Sequence, residues 1–197
     1  MADFAVIGLG NPGEVYRNTR HNLGFWLLDK IAEKGNVKFK NSREYHADHS
    51  IMPYKESNIL LIKPMTFMNE SGRYLLSILN YFRCPPANVI LIHDELTLPL
   101  GELKISKNRG AGGHNGVSSV ISALGSSLIR FRIGIGKKSF PQMKLSDFVL
   151  SKLTSEECTL LEQEKDNFNN ALFSIFDNGV DATMNLINQT RRPQPNQ

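Results

Sequence analysis

Short apolar runs rich in β-branched residues fall at positions 4–9, 58–62, 89–93, 103–106 and 130–135, each bounded by turn-forming or polar residues, and each predicts a strand. A weaker run covers 45–52. Between them the apolar positions change period. Gly24, Leu27, Leu28 and Ile31 lie at i, i+3, i+4 and i+7, as do Leu75, Ile78, Leu79 and Phe82, and Val117, Val120, Ile121 and Leu124. Phe168, Ala171, Leu172 and Ile175 repeat the spacing, Gly179 follows as a C-cap, and Val180, Thr183, Met184 and Ile187 predict a last short helix. Alternating strands and helices predict an α/β fold: a single domain with a twisted, mostly parallel mixed sheet and helices on both faces. The runs at 103–106 and 130–135 are close enough to others for antiparallel pairing. The domain is expected over 1–188, and 189–197, polar with two prolines, is expected to be a flexible tail.

Composition agrees with a packed core. The chain has 197 residues, 41% hydrophobic and 21% charged, which excludes fibrous and disordered classes. Cys84 and Cys158 are the only cysteines and form no CxxC, so structural zinc, iron–sulfur and disulfide frameworks are out, and a reducing, cytoplasmic setting is expected. No window approaches the roughly 20 apolar residues of a membrane-spanning helix. The net charge of +4 permits an anionic partner without specifying one.

In an open parallel sheet, ligands bind beyond the C-terminal strand ends. The first strand ends in Gly8-Leu9-Gly10-Asn11-Pro12-Gly13, a literal GxGxxG. Pro12 and the polar stretch 14–22 separate it from the helix that a dinucleotide would need, and no acidic residue follows in 37–40 to hold a ribose. The glycines instead suggest a close backbone approach with Asn11 facing the ligand. The run 89–93 ends abruptly in Asp94 and Glu95, and His21 stands at the start of the first helix. If those strands are neighbours, Asp94 can fix the His21 tautomer and raise the basicity of its other nitrogen, a general base for water. The bland alternative is that both merely cap local structure. His46 and His49 sit in a polar surface segment, and His93 points away from Asp94. His114 lies in the Gly-rich loop 110–116 before a helix, where open N–H groups suit a phosphate or an oxyanion. No HExxH, nucleophile elbow or P-loop lysine occurs, so the set favours attack by activated water on an acyl centre.

Several segments together resemble the bacterial peptidyl-tRNA hydrolase family: Val6 to Gly13, Tyr16 to Gly24, Lys63-Pro64-Met65-Thr66-Phe67-Met68-Asn69-Glu70-Ser71-Gly72, His93-Asp94-Glu95-Leu96, Gly112-Gly113-His114-Asn115-Gly116, Arg132 to Gly136 and Phe148-Val149-Leu150. The segments keep the family's order and span nearly the whole chain. The resemblance implies a cofactor-free, metal-independent esterase that hydrolyses the bond between a peptide's C-terminal carboxyl and the terminal ribose of tRNA. It implies His21 as general base, Asp94 as its orienting carboxylate and Asn11 as a group placing imidazole and substrate. Tyr16, Phe67, Met68, Asn69, His114 and Asn115 would bind substrate, and Lys104 and Arg132, with Lys107 and Arg130 as neighbours, would contact tRNA. A monomer acting on peptidyl-tRNA, away from membranes, is expected. The chain departs from the family's pattern at Glu95, Thr97, Ala111 and Lys137-Lys138, which puts the loops in question but none of the polar site residues. A same-fold RNA-binding protein and a dinucleotide enzyme are the rivals.

Overall fold

The computed structural model describes residues 1–138 and 142–189. Seven strands form one sheet: β1 (Phe4–Gly8), β2 (Lys40–Ser42), β3 (Ala47–Tyr54), β4 (Ser57–Pro64), β5 (Val89–Glu95), β6 (Leu103–Lys107) and β7 (Ile129–Gly134). Their spatial order is β2-β3-β4-β1-β5-β7-β6. The inner pairs β4–β1, β1–β5 and β5–β7 are parallel, while β2–β3, β3–β4 and β6–β7 are antiparallel. The inner strands are apolar without alternation because both their faces are covered. Along β5, Ile90 and Ile92 enter one core and Val89 and Leu91 the other.

The first core is closed by α1 (Leu23–Lys34) and α5 (Ser155–Asn178), and the second by α2 (Leu75–Tyr81) and α3 (Asn115–Leu124). Two short helices complete the set, α4 (Leu145–Val149) and α6 (Val180–Gln189). The mixed α/β sheet with helices on both faces is therefore as the periodicities predict. The structure adds β2 and α4, which are too short to carry a period. It also starts α5 thirteen residues before Phe168, because 155–165 is a polar stretch stabilised by a capping box. The Thr154 hydroxyl accepts from Glu157 N–H at 3.2 Å, and the Glu157 carboxylate accepts from Thr154 N–H at 2.8 Å. Gly179 ends α5 with φ +81°. Gln189, placed in the tail by composition, is the last residue of α6, and 190–197 lie outside the described residues.

Strand β6 is one edge of the sheet, and α6 covers it. The Asn188 amide accepts from Ile105 N–H at 3.2 Å and donates to Ile105 C=O at 2.9 Å, standing in for a missing strand. At the other functional end, β1 and α1 meet without side chains between them. A Cβ on Gly8 would lie 2.3 Å from Gly24 O, and one on Gly24 2.3 Å from Leu9 N. This approach brings the start of α1 over the C-terminal ends of β1 and β5.

Candidate active site

His21 belongs to a single 3-10 turn, Arg20–Asn22, that leads into α1. The turn is fastened from behind. Arg20 N–H donates to Ser151 O at 3.2 Å, and Leu153 N–H to Asn18 O at 2.9 Å. The buried Arg20 guanidinium donates to Ser151 Oγ and Lys152 O, both at 2.9 Å, pairs with both Glu157 oxygens at 2.6 and 2.7 Å, and lies 4.8 Å from the Phe148 ring centre. These contacts leave the His21 ring facing the end of β5.

There, His21 Nδ1 lies 2.9 and 3.0 Å from the two oxygens of Asp94. Asp94 is buried, and a carboxylate in its ionised form only accepts, so the imidazole proton sits on Nδ1 and the Nε2 lone pair is left for a ligand. The same carboxylate accepts from His114 Nε2 at 2.9 Å. His114 Nδ1 accepts from Val117 N–H at 3.3 Å as the N-cap of α3, which fixes the second imidazole in the opposite tautomer. The two rings lie 4.7 Å apart at 35°. Burial would raise the Asp94 carboxyl, but His114 and His21 hold it far below the usual carboxylate range. The carboxylate is thus a fixed negative charge whose two neighbours both donate to it.

A crevice of about 160 Å³ opens over this pair, walled by His93, Gly112, Gly113 and Asn115 and roofed by Leu145 and Val149 of α4. By spacing alone His21, Asp94 and His114 would admit a cation, since their ligand atoms lie within 4.8 Å of one another. The donor set fits one poorly. Each ring nitrogen that would ligate carries the proton given to Asp94, and freeing the one on His114 would break the cap of α3. A dinucleotide fits no better at 8–13. The Leu9 N–H is spent on Ile92 O at 3.0 Å and the Asn11 N–H on Asn22 Oδ1 at 2.9 Å, and the space that Gly8 opens is filled by α1.

Asn11 is buried and does not hydrogen-bond His21; it reaches the histidine only through Asn22, whose amide also donates to Asn11 O at 2.9 Å. Asn11 Oδ1 accepts from Met68 N–H at 2.8 Å, so it anchors the loop after β4. Asn22 is the residue that sequence reasoning missed, and its only signal was its place beside His21. Met68, expected on the groove wall, is instead buried beneath it with the second core, where a Cβ on Gly116 would strike its Sδ. Phe67 is 56% exposed, and its ring meets the half-buried Tyr16 edge-on at 6.5 Å. Asn69 and Asn115 are both exposed; Asn115 lines the crevice, and Asn69 lies in the turn after β4.

The cations divide. Lys104 is exposed and lies opposite Arg132 in the β6–β7 ladder. Arg132 is bound to Glu95 at 3.1 Å, and Lys107 to Asp181 at 2.7 Å. Arg130, expected beside them on the RNA-facing surface, is buried and turned to His93. It offers no surface charge. The departures at Glu95 and Thr97 are joined: the Thr97 amide and hydroxyl both donate to Glu95 Oε1, at 3.1 and 2.9 Å, which leaves Oε2 for Arg132.

A mixed α/β sheet whose central parallel strands end at a carboxylate that orients an imidazole with an open nitrogen has the make-up of a hydrolase. More narrowly, the chain belongs to the peptidyl-tRNA hydrolase family, whose model, described as peptidyl-tRNA hydrolase, matches residues 5–195. Proteins named peptidyl-tRNA hydrolase are similar along almost their full length. That of Fervidobacterium nodosum is 43% identical over 183 residues, covering 93% of this chain and 94% of its own. That of Thermodesulfovibrio yellowstonii is 38% identical over 187 residues, covering 93% and 98%. The crystal structure of peptidyl-tRNA hydrolase from Acinetobacter baumannii superposes with a TM-score of 0.87 at 32% identity, covering 94% of each chain. Hydrolysis of the peptidyl-tRNA ester is the activity of this family. Among the described residues, no helix is long and apolar enough to cross a membrane.

Proposed function

We propose that His21 and Asp94 carry this hydrolysis with water as the nucleophile. The observation that bears the reading is the donation of His21 Nδ1–H to a buried, ionised carboxylate, which leaves Nε2 as a base at the mouth of the crevice. A water gives a proton to Nε2 as its oxygen bonds to the ester carbonyl carbon, and the carbonyl electron pair moves onto oxygen. As the tetrahedral intermediate collapses, the bond from carbon to the ribose oxygen breaks, and the proton passes from Nε2 to that oxygen. Asp94 stays ionised and stabilises the transient imidazolium. Asn115, at the start of α3, and Asn69, in the turn after β4, are the groups for the substrate's polar atoms, with His114 holding Asp94.

In this reading the tRNA lies over Lys104, Arg132 and, more weakly, Lys107, and the peptide leaves past Tyr16 and Phe67. Met68 shapes that wall from below. Phosphate contact by a few cations gives affinity without sequence choice, as an enzyme for all tRNAs requires. The protein works as a monomer in the cytoplasm, which sedimentation and fractionation test.

The deciding experiment is release of a labelled N-acetyl-aminoacyl group from tRNA, beside His21→Ala and a free-amine substrate. Hydrolysis by the intact protein, reduced about 10²- to 10⁴-fold in His21→Ala, is expected. Near-native turnover by that variant refutes the assignment of the base. Salt-sensitive tRNA binding without hydrolysis by the intact protein would point to an RNA-binding member of the fold instead.

A further inference from the structure

Among the described residues two arginines are buried, and they are treated differently. Arg20 is neutralised by Glu157. Arg130 has no carboxylate at ion-pair distance among the described residues and gives its protons to neutral acceptors. Its Nε and Nη2 lie 3.0 and 2.8 Å from His93 Nε2, and its Nη1 donates to Gly110 O at 3.3 Å. Burying a cation against neutral groups is costly, so packing alone is a poor reason for it.

Each acceptor leads to the site. A guanidinium only donates, so His93 keeps its proton on Nδ1, 2.6 Å from the Asp94 backbone oxygen. The His93 ring also stands edge-on to His114, 5.0 Å away at 80°. Gly110 opens the loop to His114, in which Gly112 and Gly113 take φ of +60° and +83°. Among the described residues, Arg130 makes the only side-chain hydrogen bond to 110–113. Burial, His114 and Arg130 together hold the His93 ring well below its usual range, and Arg130, lowered to about 10 by burial and Arg132, remains a cation at neutral pH.

We propose that Arg130 is a positioning residue for hydrolysis: through His93 and Gly110 it sets Asp94 and the loop bearing His114 and Asn115 in register with His21. This rests on the roles given to His21 and Asp94 above. A lysine keeps the charge but lacks the planar fork that reaches His93 with one arm and Gly110 with the other, and a methionine holds neither.

The test compares native protein, Arg130→Lys and Arg130→Met for kcat, KM against salt, and the His93 tautomer read from ring ¹⁵N shifts. The expected result is kcat lower by about ten- to a hundredfold, as small misplacements produce. KM and its salt slope stay within twofold, and in Arg130→Met the fixed Nδ1–H state of His93 is lost. A salt slope reduced by about 0.7 to 0.9 with raised KM would overturn the proposal in favour of a phosphate contact. So would native kcat in folded variants, which leaves a structural role only. Arg130→Lys carries the test should Arg130→Met not fold. The tautomer reading needs no substrate, so an inactive native protein would condemn the hydrolytic reading while the link from Arg130 to His93 is still judged by itself.

Discussion

At the level of single residues, the site depends on where two protons sit. His21 donates from Nδ1, His114 from Nε2, and Asp94 receives both. Asp94→Asn replaces an acceptor-only group by one that also donates, which removes the bias toward the Nδ1–H form of His21. Turnover is expected to fall by at least a hundredfold with little change in KM, as steady-state kinetics on N-acetyl-aminoacyl-tRNA would show. The polar rim also predicts a preference. A site that meets an amide leaves partners unpaired when the substrate carries a free amine, so aminoacyl-tRNA is expected to react more than tenfold slower than its N-acetylated form. Equal rates would sink that idea. Cys84 belongs to the core, not to the chemistry: burial, reinforced by Asp3, pushes its thiol up to about 11. It is expected to resist iodoacetamide at neutral pH until the protein unfolds, as peptide mass mapping would reveal.

At the level of elements, the contact between β1 and α1 carries the His21 turn. Gly24→Ala puts a methyl 2.3 Å from Leu9 N, a clash with backbone that no rotamer relieves. A loss of about 1–3 kcal/mol or more in denaturant unfolding is expected, with activity falling as the His21 turn shifts. This explains why a literal GxGxxG here serves packing: the motif's letters were legible, but what fills the space beside Gly8 is a helix. The helices with a 3.6-residue period and the central strands were legible because one face or both faces of each are buried. The first half of α5 was not, since its stability comes from a cap and from Arg20 reaching Glu157, a residue distant in sequence. Asn188, the last residue of the expected domain, closes the edge of β6, a role visible only once α6 is docked.

For the whole molecule, charge and acidity give two measurable consequences. Lys104 is exposed and Arg132 stands opposite it, so Lys104→Ala is expected to raise KM and to reduce the slope of log KM against log salt by about 0.7 to 0.9. Lys107→Ala is expected to do less, because Asp181 already engages that ammonium. Stability depends on pH through His93, which burial holds well below its usual range; burial likewise lowers His49 on β3. With the folded value depressed, the stabilising contribution is complete above the unfolded value of about 6.5 and is lost as pH falls below it. Asp94, depressed in the same sense, adds its loss at lower pH, below about 3.9. Unfolding free energy is therefore expected to decline below pH 6.5, by about 1.4 kcal/mol per pH unit for each proton that only the unfolded chain takes up. Urea titrations from pH 7.5 to 5 would show it, and a flat profile would contradict the burial of a neutral His93.

The alternation of strands and helices, the double-sided core and the end of the sheet at which to look could all be read along the chain. Those features follow from local period and from burial, which are written in neighbouring positions. The chain also supplied His21 and Asp94 as a pair contingent on adjacent strands. It took the folded arrangement to show that β1 and β5 are those neighbours, that His114 shares the carboxylate, and that Asn11 is held by Asn22 at both its N–H and its C=O. Arg130 and Lys104 look alike along the chain, as alternating cations on adjacent strands of one sheet. The fold gave one to solvent and the other to His93, because solvent access is set by which element covers a strand, and that is fixed by contacts between residues far apart in the chain.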